Sequence, residues 1–246
     1  MRYFLRFSYQ GTFYHGWQIQ PNAITVQEVM EDRISKILGE KIKLVGAGRT
    51  DTGVHAKNMI AHIDTDKNLT DYLFRINSFL PKDIAIIEIQ KVMNSAHARF
   101  DAIERTYHYY INYQKDPFQS EFSWQWNYDE LNLHLMNQAA QILLQTEDFT
   151  SFAKLHADNK TNLCDVRYAA WRNNDKGLTF EIKADRFLRN MVRSIVGTLV
   201  EVGQGKFSLE QFIDIIEKKD RKFASASAPA HGLFLTHVSY PKDIYV

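Results

Sequence analysis

The chain has 246 residues, 45% of them hydrophobic and 24% charged, a composition of soluble globular proteins with one large domain or two small ones. No apolar run is long enough to span a bilayer, and the charged start Met1-Arg2-Tyr3-Phe4-Leu5-Arg6 does not fit a signal peptide. The net charge of +1 excludes nucleic-acid binding by bulk charge, so any RNA contact is expected from a local basic patch; the single cysteine, Cys164, excludes an intramolecular disulfide and suits a core position in a cytoplasmic protein.

Residues 2–9 alternate, with Tyr3, Leu5, Phe7 and Tyr9 on one face and Arg2, Arg6 and Ser8 on the other, which predicts a half-buried strand. A glycine-punctuated aromatic loop follows, Gln10 to Pro21. Thr25-x-x-Glu28 has capping-box spacing and predicts a helix that buries Val26, Met30, Ile34, Ile37 and Leu38 and ends at Gly39. Strands are predicted at 41–46 and 58–64, then a helix capped by Thr70 and stopped by Pro81, then a strand from Ile84 to Val92. The order β-α-β-β-α-β is the ferredoxin-like pattern.

The second half repeats that order with one extra helix and no convincing residue identity to the first. A strand is predicted at 105–113, a helix from a cap at Asp129 to 145, and strands at 163–172 and 178–184 around the turn Asn173-Asn174-Asp175-Lys176-Gly177. Helices at 186–202 and from Ser208 to 219 precede a last strand at 233–240. The fold class is therefore α+β: two ferredoxin-like halves, 1–103 and 104–246, whose antiparallel or mixed sheets are expected to meet at a central cleft.

Two stretches could carry chemistry. The loop Gly46-Ala47-Gly48-Arg49-Thr50-Asp51-Thr52-Gly53-Val54-His55-Ala56 lies between two predicted strands and centres on one carboxylate, Asp51. A turn aspartate and a reactive carboxylate both fit it. It is neither a dinucleotide fingerprint nor a P-loop, because the glycine and lysine positions are wrong. Its Asp51-Thr52-Gly53 also matches the triplet of aspartic proteases, but a protease needs two carboxylates sharing a proton, hence a dimer with facing loops, and Arg49 would hold both ionised. The second stretch is the helix predicted at 186–202, with Arg186, Arg189 and Arg193 spaced along one face. A solvated charge stripe and a row of guanidiniums aimed at phosphates or a carboxylate are both open. The nine histidines show no metal spacing, and no metal is expected; His55 and His97 could act as general bases, and local hydrogen bonding is the expected role of each.

Gly48-Arg49-Thr50-Asp51-x-Gly53-Val54-His55-Ala56 resembles the signature of the TruA-type tRNA pseudouridine synthases, whose aspartate is the catalytic residue. Further segments resemble the same family in order along the chain. They are Tyr9-x-Gly11-x-x-Tyr14-x-Gly16-Trp17-Gln18, His97-Ala98-Arg99-Phe100 with Arg105-Thr106-Tyr107-His108-Tyr109, and Asp148-Phe149-Thr150-Ser151-Phe152. Phe187-Leu188-Arg189-Asn190-Met191-Val192-Arg193-x-x-Val196-Gly197 and Ala228-Pro229-Ala230-x-Gly232-Leu233 complete the set. Gln10 departs from the pattern, where the family usually has aspartate.

The resemblance implies that uridine is isomerised to pseudouridine at positions 38–40 of the tRNA anticodon arm, by a cytoplasmic homodimer without cofactor. Asp51 would act at C1′ or C6 as nucleophile, or as base at C2′. Arg193 would pair with it in the cleft; Tyr107 would stack under the uracil and Leu233 would pack above it. Arg49 would help extrude the nucleotide, since a stacked base must be flipped out to be reached. Arg186, Arg189, Lys154 and Lys160 would contact phosphates. The main alternative is an RNA-binding module of two ferredoxin-like units without catalysis.

Overall fold

A computed structural model describes residues 1–155 and 160–246. Contacts group the chain into two units, Met1–Glu104 together with Leu235–Val246, and Arg105–Phe234.

In the first unit the alternation at the start forms β1 (Arg2–Tyr9), whose Tyr3, Leu5, Phe7 and Tyr9 are all buried. Helix α1 (Val26–Leu38) places Val26, Met30, Ile34 and Leu38 on one stripe at intervals of four. The Thr25 side chain accepts the Glu28 N–H, and Gly39 closes the helix in the left-handed region at φ 68°. Strand β2 is only Val45–Gly46, shorter than the span 41–46, because the backbone before it serves α1 instead: Leu44 donates its N–H to Glu31 and Ile42 to Ser35. Strands β3 (His55–Asp64) and, after α2 (Leu73–Phe79), β4 (Ile84–Val92) flank β1, both antiparallel to it. With β2 on the far edge of β3, the strand arrangement is that of a ferredoxin-like unit.

Thr70 does not cap α2. It lies inside a short 3-10 turn, Leu69–Tyr72, where its hydroxyl donates to Asn68. Asn68 also reaches Asp71, so the polar cluster satisfies itself and the α-helix starts one turn later.

In the second unit β5 (Glu104–Asn112) carries β6 (Trp124–Gln125) in parallel on its end. Helix α3 spans Leu133–Ile142 and is capped by Asn132, not by Asp129. The Asp129 carbonyl instead accepts the Trp126 indole N–H at 2.9 Å, which keeps 126–129 in a loop. Strands β7 (Val166–Asn174) and β8 (Gly177–Ala184) form a hairpin, with β8 antiparallel to β5. Helix α4 runs Met191–Gly203, and α5 runs Leu209–Glu217 with the Ser208–Gln211 capping box complete in both directions.

The closing strand β9 covers Leu233–Ser239. From Leu235 onward the chain groups with the first unit, not with the half that precedes it in sequence. There Asn58 donates to the Thr236 carbonyl, Ile103 N–H to Ser239, and the Tyr240 hydroxyl to the Ala98 carbonyl at 2.6 Å. The architecture is α+β. Among the described residues no helix is long and apolar enough to cross a membrane.

Candidate active-site residues

Asp51 sits half-exposed on the turn that joins β2 to β3, and this turn is held from below by the loop after β1. Thr50 is buried, and its hydroxyl shares a hydrogen bond with the Tyr9 phenol at 2.8 Å. Its carbonyl accepts the Trp17 N–H. On the other side of Asp51, Gly53 donates its N–H to the Tyr14 carbonyl, and Val54 donates to the Asp51 carbonyl, closing the turn. The carboxylate therefore stands on a backbone fixed on both sides, which is how a loop residue gains a defined position.

The glycines of the aromatic loop make this possible. A Cβ on Gly16, whose φ is +82°, would fall on the Thr50 carbonyl, and one on Gly11 would fall on the Val54 carbonyl. The spacing Tyr9-x-Gly11-x-x-Tyr14-x-Gly16-Trp17 thus encodes a cradle for residues 50–54. Gln10 sits at its rim, exposed, with its N–H on the Asp83 carbonyl.

His55 is buried and its Nδ1 accepts the Gly11 N–H at 2.9 Å, so it pins the two loops together. His97 accepts the N–H groups of Arg99 and Phe100, and burial first, then Arg2, lowers its pKa. The bonds of His97 are local, whereas that of His55 reaches across the fold to the loop after β1. Arg49 is exposed at the same turn as Asp51, two residues away.

In the second unit Tyr107 lies on β5 opposite Ile182, half-exposed, with its ring edge-to-face against Phe187 at 5.2 Å. Tyr109, two residues on and on the same side of the strand, is fully buried and donates its hydroxyl to the Pro229 carbonyl. Burial raises its pKa well above the usual phenol value. Leu233 is buried at the start of β9.

The arginine row is not one helical stripe. Asn190 takes the left-handed conformation, φ 66°, and α4 begins only after it. Arg186 and Arg189 therefore lie in the segment before the helix, and Arg193 alone is on α4, in its first turns. The periodicity of Leu188, Val192, Ile195, Val196 and Leu199 is real, and all five are buried, but it runs through a backbone break that spacing does not reveal.

Sequence reasoning missed the strap formed by residues 224–229, which lies along α4. The Arg193 Nε donates to the Ala228 carbonyl at 2.8 Å, and the Ala228 N–H returns to the Arg193 carbonyl at 2.9 Å. Asn190 bonds the Ser227 hydroxyl, Ser225 donates its N–H to Thr198, and its hydroxyl reaches Glu201. The strap's end is fixed by Tyr109 through Pro229, and Gly232 packs against the same ring. The only hint of it in the sequence is the spacing Ala228-Pro229-Ala230-x-Gly232-Leu233.

The strap gives a direct test of how Arg193 is positioned. Alanine exceeds glycine in helix propensity by roughly 1 kcal/mol, so Gly197→Ala in the middle of α4 should stabilise by that measure alone. A Cβ there, however, falls on the Ala226 carbonyl, which is backbone and cannot swing aside. Overpacking of about 1–3 kcal/mol offsets or exceeds the gain. The expected result is a lower urea midpoint and, because Ala228 moves with the strap, a roughly ten-fold fall in turnover. A Gly197→Ala protein with native midpoint and turnover would show that the strap does not set the guanidinium.

Lys154 and Lys160 are exposed, and Lys154 donates its N–H to the Arg189 carbonyl. The motif Asp148 to Phe152 is structural: Phe149 and Phe152 are fully buried, Asp148 pairs with Lys219, and the Ser151 hydroxyl donates to the Ile215 carbonyl of α5. Among the described residues no group of three or more histidine, cysteine or acidic side chains could hold a metal.

A family model described as tRNA pseudouridine synthase matches residues 7–101 and 139–241. A tRNA pseudouridine synthase A of Parabacteroides distasonis is 47% identical over 247 residues, covering 99% of this chain and 98% of that protein. One of Porphyromonas gingivalis is 50% identical over 251 residues, covering 100% and 99%. A more distant one, from Legionella pneumophila, is 38% identical and covers 99% and 94%.

Proposed function

The chain belongs to the tRNA pseudouridine synthase family, isomerases that act on tRNA, and on that premise we propose that it converts uridine at positions 38–40 of the anticodon stem-loop, with Asp51 as the catalytic carboxylate. The observation that carries the reading is the turn itself. A single half-exposed carboxylate stands on a backbone locked by Tyr9, Tyr14 and Trp17, within the segment that the family model matches.

The reaction breaks the bond between uracil N1 and ribose C1′, turns the base, and joins C5 to C1′. C5 then loses its proton and N1 gains one, so atoms and electrons balance within the nucleotide and nothing is oxidised or reduced. Asp51 acts as nucleophile at C1′ or C6, or as base at C2′. The target base leaves the stack before it reacts. Arg49, exposed at the same turn, helps extrude it or holds the space it leaves. Tyr107 stacks on the uracil and Leu233 packs against its other face. Arg193 supplies a positioned cation, while Arg186, Arg189, Lys154 and Lys160 contact phosphates without reading sequence. The working form is a cytoplasmic homodimer with tRNA as its partner.

The test is tritium release from tRNA whose uridines are labelled at C5, because that hydrogen is lost only when C5 bonds to C1′. Release by the native chain from tRNA with uridine at 38–40, and none from tRNA with cytidine there, is the expected result. Release that is independent of those positions would reassign the target uridine, and no release from any tRNA would remove the catalytic reading.

A further inference from the structure

The second unit contains an open pocket of about 520 Å³ whose walls include Lys154, Leu155, Asn190, Arg221, Lys222 and Ser225 and, among the described residues, no carboxylate. Three cations from two separate stretches of chain thus line one opening. Their like charges repel unless an anion lies between them.

Arg221 is the informative member. It is half-buried, and its guanidinium donates to the Ala224 carbonyl and the Ser227 hydroxyl, both neutral. Other arginines of this chain solve the same problem with an acid: Arg2 forks onto Asp64, Arg6 meets Glu88, and Arg167 meets Asp165. Arg221 has no such partner among the described residues, and burial alone lowers its pKa. A half-buried cation held only by dipoles is left partly short of compensation, and an incoming anion supplies it.

The site is also built. The Asp220 N–H donates to the Ser151 hydroxyl, the Lys222 N–H to the Asp220 carboxylate, and the Phe223 N–H to the Asp220 carbonyl, so the backbone carrying Arg221 and Lys222 is fixed. Lys154 is placed by its N–H on the Arg189 carbonyl, and Asn190 lines the same pocket. The fork of Arg221 keeps N–H donors beyond the two engaged ones, and a phosphate accepts such a fork in a bidentate manner.

We propose that the pocket of Lys154, Arg221 and Lys222 is a phosphodiester subsite that grips the tRNA backbone. The proposal rests on the tRNA reading above and deepens it by joining Arg221 and Lys222, which no motif marks, to Lys154 in one site. Among the described residues the lining has one large apolar side chain, Leu155, and no aromatic ring, which suits a grip on backbone over stacking of a base. Contacts of this kind fix register and contribute salt-dependent affinity.

The experiment compares the native full chain with the double variant Lys154→Gln/Lys222→Gln, in which both changed side chains are exposed, so the fold is retained. Filter binding of tRNA across a salt series and steady-state tritium release are measured on both. The double variant is expected to weaken binding and raise KM roughly ten-fold while kcat at saturating tRNA stays within two-fold. Its slope of log affinity against log salt should shrink by about 0.7 to 0.9 for each phosphate that the variant no longer neutralises. Arg221→Lys, which keeps charge and loses the fork, should weaken binding less than the double variant. Native affinity and slope in the double variant would overturn the subsite while native release of tritium leaves the enzyme reading intact. Failure of the native chain itself to bind tRNA would overturn both. Inorganic phosphate is the second probe: saturable phosphate binding that the double variant loses, with tRNA binding unmoved, would make the pocket a small-anion site and overturn the proposal.

Discussion

Asp51→Asn is expected to lower tritium release from tRNA by at least about a thousand-fold, equivalent to about 4 kcal/mol of transition-state stabilisation, while tRNA affinity stays within a few-fold. Asparagine has the shape of aspartate, and the turn is held by backbone and neighbouring side chains: Tyr9 on Thr50, Tyr14 on Gly53, Trp17 on Thr50, and Val54 on the Asp51 carbonyl. None of these bonds uses the residue 51 carboxylate, so they survive the change. What is lost is the negative charge, which both the nucleophile and the base routes need. Asp51→Ala should behave alike, which separates loss of charge from loss of a polar group. Phosphate contacts carry most tRNA affinity, so binding measures whether the surface remains intact. Release within ten-fold of native in either variant would remove Asp51 from the chemistry.

The same turn shows how far sequence reasoning reaches and where it stops. The Ser208–Gln211 box and the left-handed Gly39 survived intact because they depend on neighbours within a turn, while Ile37 on α1 is only partly covered and Phe4 is buried on the face of β1 that carries Arg2 and Arg6. Misplaced boundaries came from competition between equivalent caps. Asp129 and Asn132 could both cap α3, and the choice fell to Asn132 once the Asp129 carbonyl was taken by the Trp126 indole. The Arg186–Arg189–Arg193 row failed for another reason. Helical spacing is blind to one residue in the left-handed region, and Asn190 tolerates that conformation. The strap at 224–229 and the grouping of Leu235–Val246 with the first unit rest on bonds between residues far apart in the chain, such as Arg193 with Ala228 and Tyr240 with Ala98. No window of local sequence contains such a pair. The motif glycines were visible as letters, but their purpose, clearance for the carbonyls of Thr50 and Val54, is a tertiary fact.

Tyr107→Phe is expected to leave KM for tRNA nearly unchanged and to cut kcat by roughly a hundred-fold or more, the range for loss of a group that transfers a proton in the reaction. The argument turns on what the substitution keeps. Phenylalanine retains the ring that Phe187 meets edge-on, and retains the β5 pairing opposite Ile182, so a flat surface for uracil remains. Only the hydroxyl goes. Tyr109 is the natural rival on the same strand, but it is fully buried with its hydroxyl committed to Pro229, which leaves it neither surface nor proton to offer. Tyr107 is half-exposed and escapes that burial. An effect on kcat with KM preserved would assign the hydroxyl to a step after binding, such as removal of the C5 proton once the new carbon–carbon bond has formed. Tyr107→Leu then separates the two roles of the ring: it should raise KM as well, because stacking is lost with the phenol. Full turnover in Tyr107→Phe would leave the residue with packing alone, and the proton from C5 would have to leave by another group or by water.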